Sequence, residues 1–210
     1  MRHFSFRPTL KMKGRKFKGL RGYAGKPTHP PFTDVPVGAY VIAAGLDVIS
    51  FAGDHTKWSH EFYQAATFVL IAGLLVSLAA VVTGVVDWWT SSEAGTQARR
   101  TINAHASIMV VATLVVLSDL GLRLFDYHSA AQPPNLVLAL SLAAAIIVGI
   151  GATYGGSLVF DYGFNVETAG DHPVWHHSET DVFPGQHEKE PVQAEVPASL
   201  SMPPESSEAF

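Results

Sequence analysis

The chain has 210 residues, no cysteine, 15% charged residues and a formal net charge of −4 at neutral pH. Soluble domains carry about 25% charged residues, and the lack of cysteine excludes disulfide frameworks, cysteine-ligated iron–sulfur clusters, thiol catalysis and c-type haem attachment. Residues 1–33 hold nine Lys or Arg and no acid, whereas residues 161–210 hold ten Asp or Glu and one Lys. The composition therefore predicts a basic N-terminal extension, an apolar central region and an acidic C-terminal extension.

The basic extension, residues 1–33, contains no apolar run of the kind that a cleaved secretory signal requires. Its basic residues alternate with Phe and Leu, a pattern that suits an anionic membrane surface or a solvated topology signal. No nucleic-acid-reading motif accompanies the charges, so we expect no nucleic-acid partner. We expect the extension to be disordered unless a partner orders it.

The central region, residues 34–160, contains four apolar segments. A hydrocarbon layer about 30 Å thick is crossed by roughly 20 helical residues. A helix pairs its backbone N–H and C=O groups within one segment, as a membrane without water requires. The sequence therefore predicts an all-α fold, a four-helix transmembrane bundle. The predicted helices span residues 35–53, 61–88, 102–126 and 134–158.

The distribution of basic residues predicts the orientation of the bundle. Basic residues concentrate in residues 1–33 and, between the second and third helices, at Arg99 and Arg100. The positive-inside rule then places both termini and this loop in the cytoplasm. We expect a multi-pass protein of a bacterial inner membrane with the lipid bilayer as its surroundings.

The acidic extension, residues 161–210, is rich in Pro, Ser, Glu and Asp and has no amphipathic period. Such a composition predicts a segment that orders only against a partner. The two extensions have opposite charge, and we expect both to contact other membrane-protein subunits.

Three ionisable residues interrupt the apolar segments: Asp47, Asp119 and Arg123. Counted from the helix ends, Asp47 and Asp119 lie in the outer half of the membrane. Arg123 follows Asp119 by one helical turn, so the two can pair directly, and Asp47 could share the same arginine. One interpretation is a structural ion-pair cluster, since arginine also reaches toward the interface. The other interpretation is a proton or ion pathway.

A second set of residues is predicted to collect at the inner side of the bundle. It comprises His29, Asp87, Arg99, Arg100, His105, Gly155 and Gly156. Two histidines from different segments can ligate the iron of a b-type haem, and arginines pair with its propionates. Alternatively, His105 forms a neutral hydrogen-bonded pair with Asp87. Pro30 and Pro31 predict an extended approach to the first helix.

Several segments together resemble a known family. They are Gly25–Ala39, Thr83–Trp88 and Tyr154–Val166, together with Asp47 and His105. Over residues 25–166 the chain resembles a bacterial four-helix membrane domain of unknown function, predicted membrane protein family 2231. Some members of that family are fused to a Rieske iron–sulfur domain. The resemblance implies a four-helix membrane fold and membrane redox surroundings.

Three functions follow as hypotheses. The first is a small subunit of a bacterial redox or energy-converting membrane complex that binds haem b or quinone at the inner side. The second is a structural or assembly subunit whose charged extensions hold its partners. The third is a small proton or solute transporter that uses Asp47, Asp119 and Arg123. No hydrolase or phosphate-loop motif is present in the sequence, so we expect no catalytic activity of its own, and we expect no metal ion bound by protein ligands alone.

Overall fold

A computed structural model of the chain describes residues 19–22 and 26–166. These residues form four helices that are long and apolar enough to cross a membrane, and the predicted all-α, four-span fold is confirmed. The helices are α1 (His29–Ala52), α2 (Lys57–Ser91), α3 (Gln97–Gly121) and α4 (Asn135–Phe160). A π-helical turn, Leu122–Asp126, extends α3. Most of the two predicted charged extensions lies outside the described residues.

The first helix begins earlier than predicted. It starts at His29 rather than at residue 35, so Pro30 and Pro31 lie in its first turn and the predicted extended approach is wrong. Proline is tolerated there because the first N–H groups of a helix have no partner within the helix, and because its fixed φ already suits the helix. The early start brings His29 into the membrane-spanning unit.

Threonine caps also extend α2 and α3 beyond their predicted starts. The Thr56 hydroxyl accepts a hydrogen bond from the Ser59 backbone N–H at 3.4 Å, and the Thr96 hydroxyl accepts one from the Arg99 N–H at 3.1 Å. Each cap satisfies a backbone donor that the first turn leaves unpaired. The sequence signal was a threonine directly before the first polar turn of each helix, which the hydropathy pattern alone does not reveal.

The helices run alternately up and down. Each helix packs against its chain neighbours, and α1 also packs against α4, so α1 and α3 lie diagonally opposite each other. The starts of α1 and α3 therefore share one end of the bundle, which we call the histidine end after His29 and His105. The opposite end, which holds Arg123 and Asp47, is called the arginine end.

The interior of the bundle combines small residues at helical spacing with larger buried ones such as Tyr40 and Val116, and many other large apolar residues face outward. The buried face of α2 runs through Ala66, Leu70, Gly73, Ser77 and Ala80. Close approach of helices through small side chains is typical of membrane bundles. The exposed outer face carries large apolar side chains, such as Phe68, Leu75 and Ile146. A surface of this kind is stable against lipid hydrocarbon and prone to aggregate in water.

Candidate functional site

At the arginine end, the guanidinium of Arg123 lies between two carboxylates from different helices. Its Nε donates to Asp119 Oδ1 at 2.9 Å, and its Nη2 contacts Asp119 Oδ2 at 3.3 Å. Its Nη1 and Nη2 donate to the two oxygens of Asp47 at 3.1 and 2.5 Å. All three side chains are inaccessible to solvent. The structure thus unites the three ionisable residues that the sequence singled out, and joins α1 to α3.

Neutral polar groups from α2 and α4 complete this cluster. The Thr67 hydroxyl accepts the remaining Nη1–H at 3.3 Å, and the Tyr63 ring centre lies 5.0 Å from the guanidinium carbon. The Ser141 hydroxyl lies beside Asp47. A guanidinium has five N–H donors, and here all five have an acceptor. We call Asp47, Asp119 and Arg123 the buried triad.

The loops at the arginine end are also tied together by hydrogen bonds. Ser50 and Ser59 each donate their hydroxyl to the backbone carbonyl of the other, at 2.6 and 2.5 Å. His60 Nδ1 donates to the Ala130 carbonyl at 2.7 Å, and the Tyr63 hydroxyl donates to the Tyr127 carbonyl at 3.3 Å. These bonds fix both hairpin connections around the buried triad.

At the histidine end, His29 is the first residue of α1 and its ring packs against α2. Its Nδ1 lies 2.9 Å from the Ala80 carbonyl oxygen and 3.2 Å from the Thr83 hydroxyl. A carbonyl only accepts, and the Thr83 hydroxyl proton already goes to backbone carbonyls of its own helix. The proton therefore resides on Nδ1, and in the neutral ring Nε2 keeps a free electron pair.

His105 repeats this arrangement on the other pair of helices. It projects from α3, and its Nδ1 donates to the Gly151 carbonyl of α4 at 2.8 Å. This bond again fixes the tautomer with the electron pair on Nε2. The alternative prediction, a hydrogen bond between His105 and Asp87, is wrong for the Nδ1 atom of His105, because this atom donates to the Gly151 carbonyl instead.

The two rings meet across the diagonal of the bundle. Their centres are 6.4 Å apart and their planes are nearly perpendicular, at 88°. Each ring donates to a carbonyl four residues before a glycine, Ala80 before Gly84 and Gly151 before Gly155. The same arrangement of histidine, backbone carbonyl and glycine therefore occurs twice, once in each helical hairpin.

The two glycines give the imidazole rings their space. A Cβ at Gly84 would lie 2.7 Å from His29 Cε1, and one at Gly155 would lie 3.2 Å from His105 Cε1. The first distance is shorter than real contacts allow, and the second requires the ring to shift. Gly155 was predicted at this site, whereas Gly84 was not. Gly156 lies away from the rings: the nearest atom to its virtual Cβ is Phe160 Cδ2 at 4.0 Å.

Asp87 lies at the same end of the bundle but contacts other residues than the two histidines. Its side chain is buried, and it is placed beside the backbone of Leu20 and the side chain of Asn165. Within the described part of the chain, its Oδ1 makes no hydrogen bond of normal geometry. Asp87 therefore connects the end of α2 to the segments before α1 and after α4, rather than to either histidine.

The two arginines predicted as anion partners point elsewhere. Arg99 stacks over the Trp88 ring at 3.8 Å, and its Nη1 donates to the Trp88 carbonyl and to Ser92. Arg100 is exposed and donates to Gln97 Oε1 at 2.8 and 3.0 Å. The pattern of adjacent basic residues suggested one shared role, but the helix turns the two side chains to different partners.

Most of the segments that carry the family resemblance thus converge at the histidine end: the start of α1, the end of α2, His105 on α3 and the end of α4. A model of predicted membrane proteins, DUF2231, matches residues 25–168 of the chain. The chain belongs to the DUF2231 family. This DUF2231 match covers the whole four-helix bundle and includes both the buried triad and the histidine pair. No curated protein matches the chain, and no solved structure matches it.

Several residues of this DUF2231 domain that shape both clusters were missed by the sequence reasoning. At the arginine end they are Tyr63, Thr67 and Ser141, and at the histidine end they are Ala80, Thr83, Gly84 and Gly151. A sequence signal existed for one of them, Gly84, which lies near the end of α2 as the predicted Gly155 lies near the end of α4. The backbone carbonyls carry no sequence signal at all.

Proposed function

We propose that this DUF2231 domain holds haem b between His29 and His105 and serves as an electron-transfer subunit of a membrane redox complex. One observation carries the proposal. Both histidines direct Nδ1–H to a backbone carbonyl, which leaves both Nε2 atoms as free electron-pair donors. Iron in b-type haem takes axial imidazole nitrogens, and metal-bound histidines commonly donate their other N–H to a carbonyl.

The spacing of the rings supports this proposal. Two imidazole rings that held one iron between them would lie within several ångströms of each other, because metal–nitrogen bonds are about 2 Å long. The observed separation is 6.4 Å. The ligands also come from diagonal helices, so a group between them would lie in the interior of the bundle and not at its lipid face.

The residues around the rings would fix the tautomer and the position of the two histidine ligands. The carbonyls of Ala80 and Gly151 hold each ring in one tautomer. Gly84 and Gly155 allow each ring to lie against the neighbouring helix. Haem, when bound, supplies one-electron transfer. Of the two arginines, the exposed Arg100 is the one that can exchange its Gln97 contact for a propionate.

Quinone at the same site is the second candidate. A quinone carbonyl needs a hydrogen-bond donor, but the Nδ1–H donors of both histidines are already engaged. The free Nε2 atoms could accept a hydrogen bond from the hydroxyl of a hydroquinone, but they have no proton to donate to a quinone carbonyl. The hydrogen-bond pattern therefore favours haem over quinone.

The setting of the protein is part of the same proposal. The charge distribution favours a bacterial inner membrane with both termini in the cytoplasm, which places the histidine end at the cytoplasmic surface. The oppositely charged segments, 1–33 and 161–210, would then contact neighbouring subunits from that side. A purely structural subunit shares these contacts and lacks the cofactor.

An optical spectrum of the full chain, purified in detergent from haem-replete cells, tests the proposal. We expect a dithionite-reduced spectrum of low-spin haem b that is lost in His29→Ala and in His105→Ala. His60→Ala is the matched control, because His60 also donates Nδ1–H to a backbone carbonyl but lies at the arginine end. A folded, colourless wild-type protein overturns the haem proposal, and co-purified hydroquinone would then favour the second candidate.

A further inference from the structure

The buried triad contains more negative than positive charge. Asp47 and Asp119 carry two carboxylates against the single guanidinium of Arg123, and all three side chains have no exposure to solvent. If both acids are ionised, a net charge of −1 lies within the membrane-spanning part of the bundle. A buried unbalanced charge costs several kcal/mol, so the cluster requires one more positive charge.

No second lysine or arginine is placed to supply this charge among residues 34–160. The other Lys and Arg residues there are Lys57, Arg99 and Arg100. Lys57 is 94% exposed and lies near Glu61. Arg99 and Arg100 have their partners at the opposite end of the bundle. His60, a histidine at the arginine end, has its Nδ1 on the Ala130 carbonyl and its Nε2 beside the Gln64 amide. Among the described residues 34–160, therefore, no lysine or arginine balances the second carboxylate, whereas one bound proton would.

The groups that surround the triad are neutral on every side. Beside Asp47 on α1, α2 contributes the Tyr63 ring and the Thr67 hydroxyl, and α4 contributes the Ser141 hydroxyl. The phenol of Tyr127 lies near Tyr63 after the π-helical turn. These groups can hydrogen-bond to a carboxyl but cannot neutralise it. The donor set also offers only two carboxylates, which Arg123 already occupies, so a metal ion would have to displace the guanidinium.

We propose that the buried triad binds one exchangeable proton, shared between Asp47 and Asp119 and held mainly on Asp119. Asp47 receives the shortest contact of the cluster, at 2.5 Å from Nη2, whereas Asp119 Oδ2 is 3.3 Å from the same nitrogen. The oxygen with the longer contact gains least from the guanidinium, so it is the better place for a proton. With this proton bound, the triad is neutral.

The site lies close to the water at the arginine end. Arg123 belongs to the same π-helical turn as Asp126, which is exposed. A proton that leaves the triad therefore enters the aqueous phase on the side opposite to the histidine pair. The domain thus takes up or releases one proton on that side of the membrane, independently of any group between the histidines.

Infrared spectroscopy of the full chain in detergent tests the proposal directly. We expect the wild type at mildly acidic pH, where exposed carboxyls are ionised, to show the C=O stretching band of a protonated carboxyl, which shifts in D₂O. Asp119→Asn and Asp47→Asn should each lose this band, because one carboxylate and one guanidinium already balance. Asp126→Asn, which changes an exposed acid on the same turn, should keep it. Absence of the band in the wild type, or its persistence in both triad variants, overturns the proposal.

Thermal unfolding against pH gives a second readout. The native state holds a proton that the exposed carboxyl of the unfolded state has lost, so wild-type stability should fall as the pH rises from about 4, the ordinary pKa of an aspartate, toward neutral. Asp119→Asn and Asp47→Asn should abolish this dependence. If one of them does not fold, the other variant and the wild-type band still decide. An unchanged pH dependence in a folded triad variant contradicts the proposal.

Discussion

The two ends of the bundle differ in how completely the nitrogen atoms of their central side chains are hydrogen-bonded, Arg123 at one end and the two histidines at the other. At the arginine end every N–H of Arg123 has an acceptor, and the loops are cross-linked around it. At the histidine end each ring uses one nitrogen on a backbone carbonyl and keeps the other for a ligand. A saturated polar cluster stabilises a fold, whereas an unsaturated one of fixed geometry is prepared to bind.

The largest loss of stability is expected from Arg123→Met, which removes the cation of the buried triad. The variant leaves two carboxylates buried without their partner, which costs about 3–5 kcal/mol when a buried ion pair loses one member. We expect loss of the folded protein, measured by thermal unfolding and size-exclusion chromatography in detergent. Arg100→Met, which alters an exposed side chain at the other end, should change stability by less than about 0.5 kcal/mol. Equal effects of the two variants would contradict the structural role of the buried triad.

The next largest effect is expected from Gly84→Ala. The added Cβ would lie 2.7 Å from the ring of His29, and displacement of a packed group costs about 1–3 kcal/mol. We expect a lower unfolding temperature and a weakened ligand site. Gly149→Ala on α4, where the Cβ would meet nothing within 4 Å, is the control and should not destabilise the protein. A neutral Gly84→Ala would show that His29 does not pack against α2 as described.

Tyr63→Phe tests the hydrogen bond that the Tyr63 hydroxyl makes at the arginine end. It keeps the ring beside Arg123 but removes the hydrogen bond to the Tyr127 carbonyl, at a cost of about 1 kcal/mol. Tyr154→Phe, on the exposed face of α4, should be silent in the same thermal unfolding assay. The opposite order of the two effects would contradict the assignment of Tyr63 to the interior.

The smallest effect is expected from Thr83→Val at the histidine end. His29 Nδ1–H loses one of two acceptors but keeps the nearer Ala80 carbonyl, so the loss should stay below about 1 kcal/mol. Nitrogen NMR of labelled histidine should still show the proton on Nδ1. Thr113→Val, whose hydroxyl bonds its own helix at Met109, is the matched control. A change of tautomer in Thr83→Val would mean that the hydroxyl, and not the carbonyl, orients His29.

The sequence predicted part of each cluster for a local reason. Arg123 follows Asp119 by one turn of the same helix, so their pairing needs no knowledge of the tertiary fold. The pairing of either residue with Asp47 depends on how α1 and α3 are rotated toward each other. The same rotation brings His29 and His105 together and turns Arg99 back to Trp88. The sequence had grouped His29, His105 and Arg99 only by their expected depth in the membrane.

What the sequence alone determined was the number, type and approximate extent of the helices. Hydropathy and length suffice for this because each membrane helix satisfies its backbone hydrogen bonds within itself. The tertiary structure decided which side chains meet. It gave Arg123 its second carboxylate, and it gave His29 and His105 the carbonyls of Ala80 and Gly151. These partners lie on other helices, and backbone carbonyls are the same in every residue, so only the packing of the four helices selects them.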